Sequence, residues 1–591
     1  MKQRIRYLLK FYLLTVVIFI VGKVGFMLCN ASGHPFSTGD VLDVLRHGLS
    51  LDLSMALYLF CIPFLCVLVS IWLPYEKVFR YLLRVFYVFI AIAMALAFVA
   101  DTSLYKFWLF KLDASCLQYL ETPTEAMASV TTGYLIVRVL IFVVLSVLFA
   151  WAYWKIPLRL PVVRQKTVST LCCLLGIPLI VVGIRGGLSE STTNIGQVYF
   201  SQNQFLNHSA VNPVFSFFAS LEKTVKENAS YEFFADAECE ALLEGCYPTE
   251  SVVADSLLRI RRPNVVIILL EGCGEIFSSV MPRLNELKRE GIWFANCYGN
   301  SFRTDRGTVC ALSGYPSFPT MSVMKMPKKT AHLPSIARSL QREGYTTSYL
   351  YGGDINFTNM RSYLVATGWE ELRWKADFSA SEQASAKWGV RDDITFRSLQ
   401  EMISSLESPF LIGFSTLSTH EPWDVPVKEM QEKELNAFYY LDQCIGDFFD
   451  DLKKTPHWRD LLVVLVPDHG INYRQIDENH PQRNHIPMLW IGGAVKEPRR
   501  IDSICNQTDL AATLLGQMGI RHDEFTFSRD VLSINYTKPF AIHTYNNGFS
   551  MVDGTGFTVY DLNTNQTLQG KGNTDLGKAI LQATSKDLKN R

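Results

Sequence analysis

The chain reads as two fold classes in series. A five-helix transmembrane domain comes first, followed by an α/β domain with a mostly parallel sheet flanked by helices and a small antiparallel addition at its C-terminal end. Three observations predict this. Five apolar stretches of near-bilayer length fill the first third of the sequence. Apolar strand-like runs then alternate with amphipathic stretches from about residue 263. Short apolar runs separated by Asn546-Asn547-Gly548 and Asp553-Gly554 turns close the chain.

The five spans run roughly over 7–29, 50–73, 79–100, 134–154 and 167–185, each near the ~20 residues that cross a bilayer. The first is too long for a signal peptide and lacks a convincing small-residue cleavage site. Basic residues choose the orientation. Lys2, Arg4, Arg6 and Lys10 precede span one; Lys77, Arg80 and Arg84 lie between spans two and three; Lys155, Arg159, Arg164 and Lys166 lie between spans four and five. Five spans put all three clusters on one side, the cytoplasm, and everything after about residue 190 on the other. Arg46 and Asp52 flank the start of span two, and Asp101 closes span three. Ionisable groups at such depth are costly and usually paired or functional; they read either as a pair that fixes helix packing or as a guide for a lipid headgroup. The loop 101–133 carries Tyr105, Phe107 and Trp108, which suits an interfacial segment.

A length of 591 residues exceeds one domain. The boundaries expected are a transmembrane domain over 1–188, a juxtamembrane connector over 189–262 and a catalytic domain over 263–591. A formal net charge of +0 argues against a nucleic-acid partner, which usually leaves a basic footprint. Seven of the thirteen cysteines follow residue 190, so they cannot all pair within one chain. Cys239 and Cys246 flank a short stretch and could pair in an oxidising compartment; Cys273, Cys297 and Cys310 read as small core residues.

Within the connector, Pro213–Lys226 has apolar residues at Val214, Phe217, Phe218 and Leu221, a helical spacing. Beyond it, strand 264–270 precedes a helix through Met281–Gly291. Helix 333–343 precedes strand 345–350, helix 392–406 precedes Phe410–Ser415, and helix 434–454 precedes strand 461–466. That alternation is the α/β signature. The runs in 538–567 read as hairpins.

Chemistry gathers at three points. The run Asn264–Leu270 ends on Glu271. The polar turn Ser301–Gly307 offers the hydroxyl of Thr304. The run Leu461–Pro467 ends on Asp468-His469-Gly470. Two carboxylates, an imidazole and a hydroxyl thus fall at or beyond the carboxyl ends of buried strands, where open α/β sheets build their sites. The set suits one divalent cation that also activates the threonine. Three oxygens and one nitrogen fit Mn²⁺ or Zn²⁺, and less well Mg²⁺.

These segments resemble the alkaline phosphatase/sulfatase superfamily, and more closely its membrane-anchored lipoteichoic acid synthase and phosphoethanolamine transferase branch. The resemblance extends over nearly the whole chain. It implies a sulfatase-like catalytic domain with Glu271, Thr304, Asp468 and His469 as the metal shell and Thr304 as nucleophile. Sulfatases use a modified Cys or Ser in a C/S-x-P-x-R motif; here Arg306 stands where that proline would be and Thr308 where the arginine would be. Formylglycine cannot be made from threonine, so an unmodified alkoxide attacking phosphorus is expected.

The resemblance also implies that His420, in Ser415–Trp423, binds substrate or transfers a proton. Arg361, after Gly352-Gly353-Asp354 and Asn359, resembles an arginine that grips the phosphate or headgroup, a task suited to a planar guanidinium. His485 would contact the phosphoryl group. Asp392, in Trp388-Gly389-Val390-Arg391-Asp392, reads equally as a helix start or a catalytic group. The implied activity is a phosphotransferase of the bacterial inner (cytoplasmic) membrane, multi-pass, with its catalytic domain on the periplasmic or extracellular side. It would move phosphoglycerol, or phosphoethanolamine, from a membrane phospholipid to an envelope glycan or lipid acceptor through a phosphothreonine. Two alternatives stay open: a sulfatase-like or phosphodiester hydrolase with water as acceptor, and a non-catalytic membrane scaffold with a degenerate site.

Overall fold

The computed structural model of the chain describes all residues except 109–110, 113, 115, 118–131, 228–230, 249, 254, 475, 477–478, 547 and 563, and describes no side chain for 106–108, 132 and 222–227. Its contacts divide the chain into two compact units, Met1–Asn228 and Ala229–Arg591.

The first unit is helical: α1 (Lys2–Asn30), α2 (Thr38–Val69), α3 (Glu76–Trp108), α4 (Thr132–Trp154), α5 (Lys166–Arg185), α6 (Gln204–Ala210) and α7 (Pro213–Glu227). The first five are long and apolar enough to cross a membrane. Ser37 and Asp40 form a reciprocal cap that starts α2 well before its apolar stretch. The end of α2, the start of α3 and the stretch before α5 meet the start of α1. Arg4 there donates to the carbonyls of Val67 at 3.1 Å and Pro161 at 3.0 Å and to the Ser70 hydroxyl. The three basic clusters therefore share one end of the bundle. Helix α3 continues through Trp108 where an interfacial loop from residue 101 was expected. Tyr105 is buried against His208, with Oη 3.0 Å from Nδ1; the Phe107 and Trp108 side chains lie outside the described set.

Charges at the other end of the bundle are paired differently from the sequence expectation. Asp52 and Arg46 lie six residues apart on one helix, about 240° around its axis, so they do not face each other. Asp52 pairs with Lys23 of α1 at 2.7 Å, and both are almost fully buried. Asn212 donates to its other oxygen at 2.9 Å, and Lys23 also donates to the Gly48 carbonyl at 2.6 Å. Asp101 pairs with buried Lys111 and accepts from the Leu112 amide at 2.9 Å. Every oxygen and the ammonium have partners, which is what allows these charges to be buried.

The second unit is built on a nine-stranded sheet. In chain order its elements are β1 (Asn264–Leu270), α8 (Pro282–Glu290), β2 (Ile292–Tyr298), α9 (Thr304–Ser313), α10 (Ile336–Arg342), β3 (Thr346–Tyr351), β4 (Glu371–Trp374), α11 (Asp392–Ser405), β5 (Phe410–Ser415), α12 (Lys433–Leu452), β6 (Leu461–Pro467), β7 (His485–Ile491), β8 (Arg499–Ile501), β9 (Cys505–Asn506) and α13 (Leu510–Gln517). The strand order is β4-β3-β5-β1-β6-β7-β2-β8, with β9 also on β2. Only β7 runs against its neighbours, β6 and β2. Val265, Ile267 and Leu269 of β1 face one core, and Val266, Ile268 and Leu270 face the other. Both faces of the sheet are thus covered, as a parallel sheet requires. Strands β10 (Phe540–Tyr545), β11 (Gly548–Asp553), β12 (Gly556–Asp561) and β13 (Gln566–Gly570) form a separate antiparallel sheet, followed by α14 (Thr574–Asn590). The hairpin turns fall where the Asn-Gly and Asp-Gly signals place them; Asn547 itself lies outside the described residues. Cys239 and Cys246 do not pair. Both are free and buried, their thiols directed at the Ala579 and Leu242 carbonyls.

Removing one partner of a buried ion pair strands the other charge, at about 3–5 kcal/mol, whereas replacing both is close to neutral. Lys23→Ala should therefore lower the thermal unfolding temperature of the detergent-purified chain more than the double change Lys23→Met with Asp52→Leu. Equal losses would show that the pair adds nothing.

Candidate active site

The site follows from a register. Strands β1 and β6 are parallel neighbours, and Leu270 lies opposite Pro467. The next residue of each strand, Glu271 and Asp468, therefore leaves the sheet at the same level. The Asp468 Oδ1 accepts the backbone N–H groups of Gly272 at 2.9 Å and His469 at 2.8 Å. Its Oδ2 is buried and has no hydrogen-bond partner.

Thr304 arrives as the first residue of α9, not in a turn as the sequence reading had it. Gly307 lets it approach: a Cβ there would lie 1.8 Å from the Asp468 carbonyl oxygen. The Gln507 side chain holds that same carbonyl, at 2.9 Å. The Thr304 hydroxyl donates to Glu271 Oε2 at 3.1 Å and lies 3.3 Å from His469 Nε2. His469 Nε2 lies 3.5 Å from Glu271 Oε1 and 3.6 Å from Asp468 Oδ2. The helix start adds backbone N–H groups and the positive end of a dipole beside this hydroxyl.

Two buried carboxylates, one imidazole and one hydroxyl make a metal-ligand set, and Glu271, Asp468 and His469 offer donor atoms all within 4.8 Å of one another. Ligands held about 2 Å from one ion sit about 3–3.5 Å apart, close to the separations seen here. The orphaned Asp468 Oδ2 is an acceptor with no proton to meet it. His469 Nδ1 lies 3.2 Å from the Gly470 carbonyl, which can only accept, so Nε2 is the nitrogen left to ligate. The residues fit a divalent metal.

Protons stand in for that cation otherwise. Burial alone would raise the Glu271 carboxyl, but the adjacent His469 outweighs it and holds it at about 2. Burial, and then the Glu271 charge, pushes Asp468 up to about 7. Burial would lower His469, but the two carboxylates outweigh it and raise it to about 9.

A second layer fixes Glu271. After β5, Thr416 Oγ1 accepts the Glu271 N–H at 2.9 Å, and Thr419 Oγ1 donates to the Glu271 carbonyl at 2.6 Å. Fully buried Asp392, the first residue of α11, holds this loop in turn. Its carboxylate accepts the N–H groups of Leu417 at 2.8 Å and Ser418 at 3.1 Å, and Ser418 Oγ accepts the Asp392 N–H at 2.9 Å. Burial raises its carboxyl to about 6. Sequence reading left Asp392 between a helix start and catalysis, and it missed Thr416, Thr419, Gly307 and Gln507. The run of hydroxyls in Ser415-Thr416-Leu417-Ser418-Thr419 was the available signal.

His420 ends that loop, directly after Thr419, whose hydroxyl bonds the Glu271 carbonyl. Arg361 lies in the short helix Met360–Ala366; its Nε donates to Asn356 Oδ1 at 2.8 Å, and its guanidinium lies 5.0 Å over the Trp374 ring. His485 starts β7. Its Nε2 is 2.8 Å from the Ala295 carbonyl, and its ring packs 5.2 Å from Tyr298. The structure thus brings Glu271, Thr304, Asp468 and His469 together, with His420 nearby, and gives Arg361 and His485 partners of their own.

Residues 263–520 match the sulfatase family model. The chain carries a sulfatase-family domain. It is 25% identical over 308 residues to lipoteichoic acid synthase 2 of Bacillus subtilis strain 168, covering 46% of this chain and 47% of that protein. It is 22% identical over 272 residues to the lipoteichoic acid synthase of Staphylococcus aureus strain NCTC 8325, covering 43% and 40%. The chain spans about half the length of the curated relatives it matches or less. A solved protein of the alkaline phosphatase superfamily from Vibrio parahaemolyticus superposes with TM-score 0.54 at 25% identity, covering 62% of this chain and 98% of that one. The lipoteichoic acid synthase LtaP from Listeria monocytogenes shares the fold, with TM-score 0.50 at 17% identity, covering 60% and 98%.

Two predictions follow from the geometry. Gly307→Ala should abolish metal retention by the purified protein, because α9 must retreat from Asp468; an unchanged metal content would contradict the close approach. A metal must also displace the His469 proton below about pH 9 and the Asp468 proton below about pH 7. Apparent affinity for a divalent metal should therefore rise with pH, about tenfold per unit between these values and more steeply below them. Calorimetric titrations at pH 6 and 8 read this, and a flat response would contradict the ligand set.

Proposed function

We propose that this protein is a membrane-anchored, metal-dependent phosphotransferase. It takes a phosphoglycerol headgroup, or phosphoethanolamine, from a membrane phospholipid, holds it on Thr304, and passes it to an envelope glycan or lipid acceptor. The observation that carries this is the Thr304 hydroxyl at a helix start, 3.1 Å from Glu271 and 3.3 Å from His469. The fold, the sulfatase-family match and the lipoteichoic acid synthase relatives support it.

Glu271, Asp468, His469 and Thr304 would hold the metal, Mn²⁺ or Zn²⁺ from the mixed oxygen and nitrogen donors. When bound, such an ion favours the alkoxide and offsets phosphoryl charge. Glu271 orients the Thr304 hydroxyl and is the acceptor for its proton. The N–H groups at the start of α9 face the charge that develops on the attacking oxygen. Thr304 Oγ1 forms its bond to phosphorus as the diacylglycerol oxygen leaves, and His420 gives that oxygen its proton. An acceptor hydroxyl then loses its proton to His420 and displaces Thr304. Arg361, held over Trp374, would meet the phosphate or the headgroup, and His485 the phosphoryl group from the β7 side. We place the catalytic domain outside the cytoplasmic membrane, on the strength of the basic clusters that share one end of the bundle. A lipid donor does not leave the bilayer cheaply, which gives the anchor its purpose.

Incubating the full chain with phosphatidylglycerol or phosphatidylethanolamine, then digesting it, should yield a Thr304 peptide heavier by one phospho-linked headgroup, and phosphoglycerol is expected. Thr304→Ala should lose the adduct and all turnover. An unmodified Thr304 during turnover, with release of sulfate from an aryl sulfate, would overturn the proposal. For orientation, a reporter active only outside the cytoplasm should work when fused after Arg591 and stay silent near Arg159; the reverse pattern would sink the placement.

A further inference from the structure

His420 does not stand alone on its loop. Its Nδ1 lies 2.8 Å from the Glu421 carbonyl oxygen, and the Trp388 indole N–H donates to that same oxygen at 2.6 Å. The two rings pack against each other, with centroids 4.4 Å apart and planes inclined by 52°. A carbonyl can only accept, so Nδ1 carries the proton, and Nε2 is the nitrogen through which His420 exchanges protons with anything else. Phe357 stands edge-on to Trp388, centroids 6.1 Å apart.

Trp388 is itself fixed from behind. The next residue, Gly389, packs so closely on β3's exit loop that a Cβ would lie 2.2 Å from the Gly352 carbonyl oxygen, and Val390 donates to that oxygen at 2.9 Å. The indole is thus held from the β3 side while the histidine arrives from the β5 side. The shared carbonyl is where they meet.

We propose that Trp388 is a positioning residue: through the Glu421 carbonyl and the ring contact it fixes the His420 imidazole, with Nε2 as its working nitrogen. The inference rests on the proton-transfer role of His420 given above. In the first half-reaction the Nε2 proton passes to the diacylglycerol oxygen as its bond to phosphorus breaks and the Thr304–phosphorus bond forms. In the second, the acceptor hydroxyl returns a proton to Nε2 as its oxygen bonds phosphorus, the Thr304–phosphorus bond breaks, and Thr304 Oγ1 takes back the proton that Glu271 held. Nδ1 keeps its proton throughout, because the Glu421 carbonyl holds it there.

The test is a double-mutant cycle on the purified full chain in phosphatidylglycerol-containing nanodiscs, reading kcat, KM and the Thr304 adduct. Trp388→Ala should lower kcat about 10–100-fold, less than the roughly 10²–10⁴-fold that a positioned proton donor contributes, with KM little changed. Trp388→Phe keeps the ring and loses the N–H, and should lower kcat only several-fold. In a His420→Ala background neither change should lower kcat further, because residues acting through one another are non-additive. Losses that multiply in that background, or a raised KM at wild-type kcat, would overturn the role. Should Trp388→Ala lose metal content or unfold early, the Trp388→Phe cycle decides alone, and wild-type kcat in that variant overturns it. A wild-type chain that forms no Thr304 adduct takes down the underlying reading and this one together. A normal adduct with an additive cycle removes only the role of Trp388.

Discussion

Two carboxylates leave adjacent parallel strands at the same level, and most of the site answers to that fact. The register that sets Leu270 opposite Pro467 places Glu271 and Asp468 side by side in a buried position. Like charges so placed do not both ionise without a neighbouring cation. His469 meets the demand in part, and the orphaned Asp468 oxygen marks what a proton on one imidazole leaves unmet. A divalent ion would satisfy both carboxylates, with the Thr304 hydroxyl, 3.1 Å from Glu271, within reach as a further oxygen.

The surrounding packing serves this pair. Gly307 gives up a side chain so that the start of α9 can lie on the Asp468 carbonyl. Thr416 and Thr419 grip both backbone groups of Glu271, and Asp392 ties their loop to α11. The chain of contacts is continuous from the α11 start to the carboxylate that accepts from the Thr304 hydroxyl. A structure organised this way holds donors in place before any ion or substrate arrives, so little reorganisation is left for the chemical step. The membrane unit shows the same rule in another setting: Lys23 with Asp52 and Lys111 with Asp101 are buried only because each has its partner.

Sequence reading captured the parts whose cause is local. Strands β1, β5 and β6 are near-continuous apolar runs because both faces of the sheet are covered, and Glu271 and Asp468 follow β1 and β6 directly. The five membrane helices were legible for the same reason, as apolar length needs no partner to be recognised. What depended on distant residues was hidden. Strand β7 carries Pro487, and β2 mixes Asn296 and Cys297 into its apolar run, so neither reads as a strand without its antiparallel partner. The need for glycine at 307 exists only because Asp468 arrives from far along the chain. Arg46 seemed the natural partner of Asp52 until helical geometry turned them apart and Lys23 of another helix took its place. His420 was recognised from its segment, but the tryptophan that shares its anchor lies on another loop.

The central claim is that the Glu271–Asp468 pair, with His469 and Thr304, forms one metal centre. X-ray absorption spectroscopy on the metal-loaded full chain tests it most directly. The account predicts a first shell of oxygen and nitrogen only, with the outer scattering of a single imidazole that disappears in His469→Ala. A shell containing sulfur, or imidazole scattering that survives the loss of His469, would contradict it.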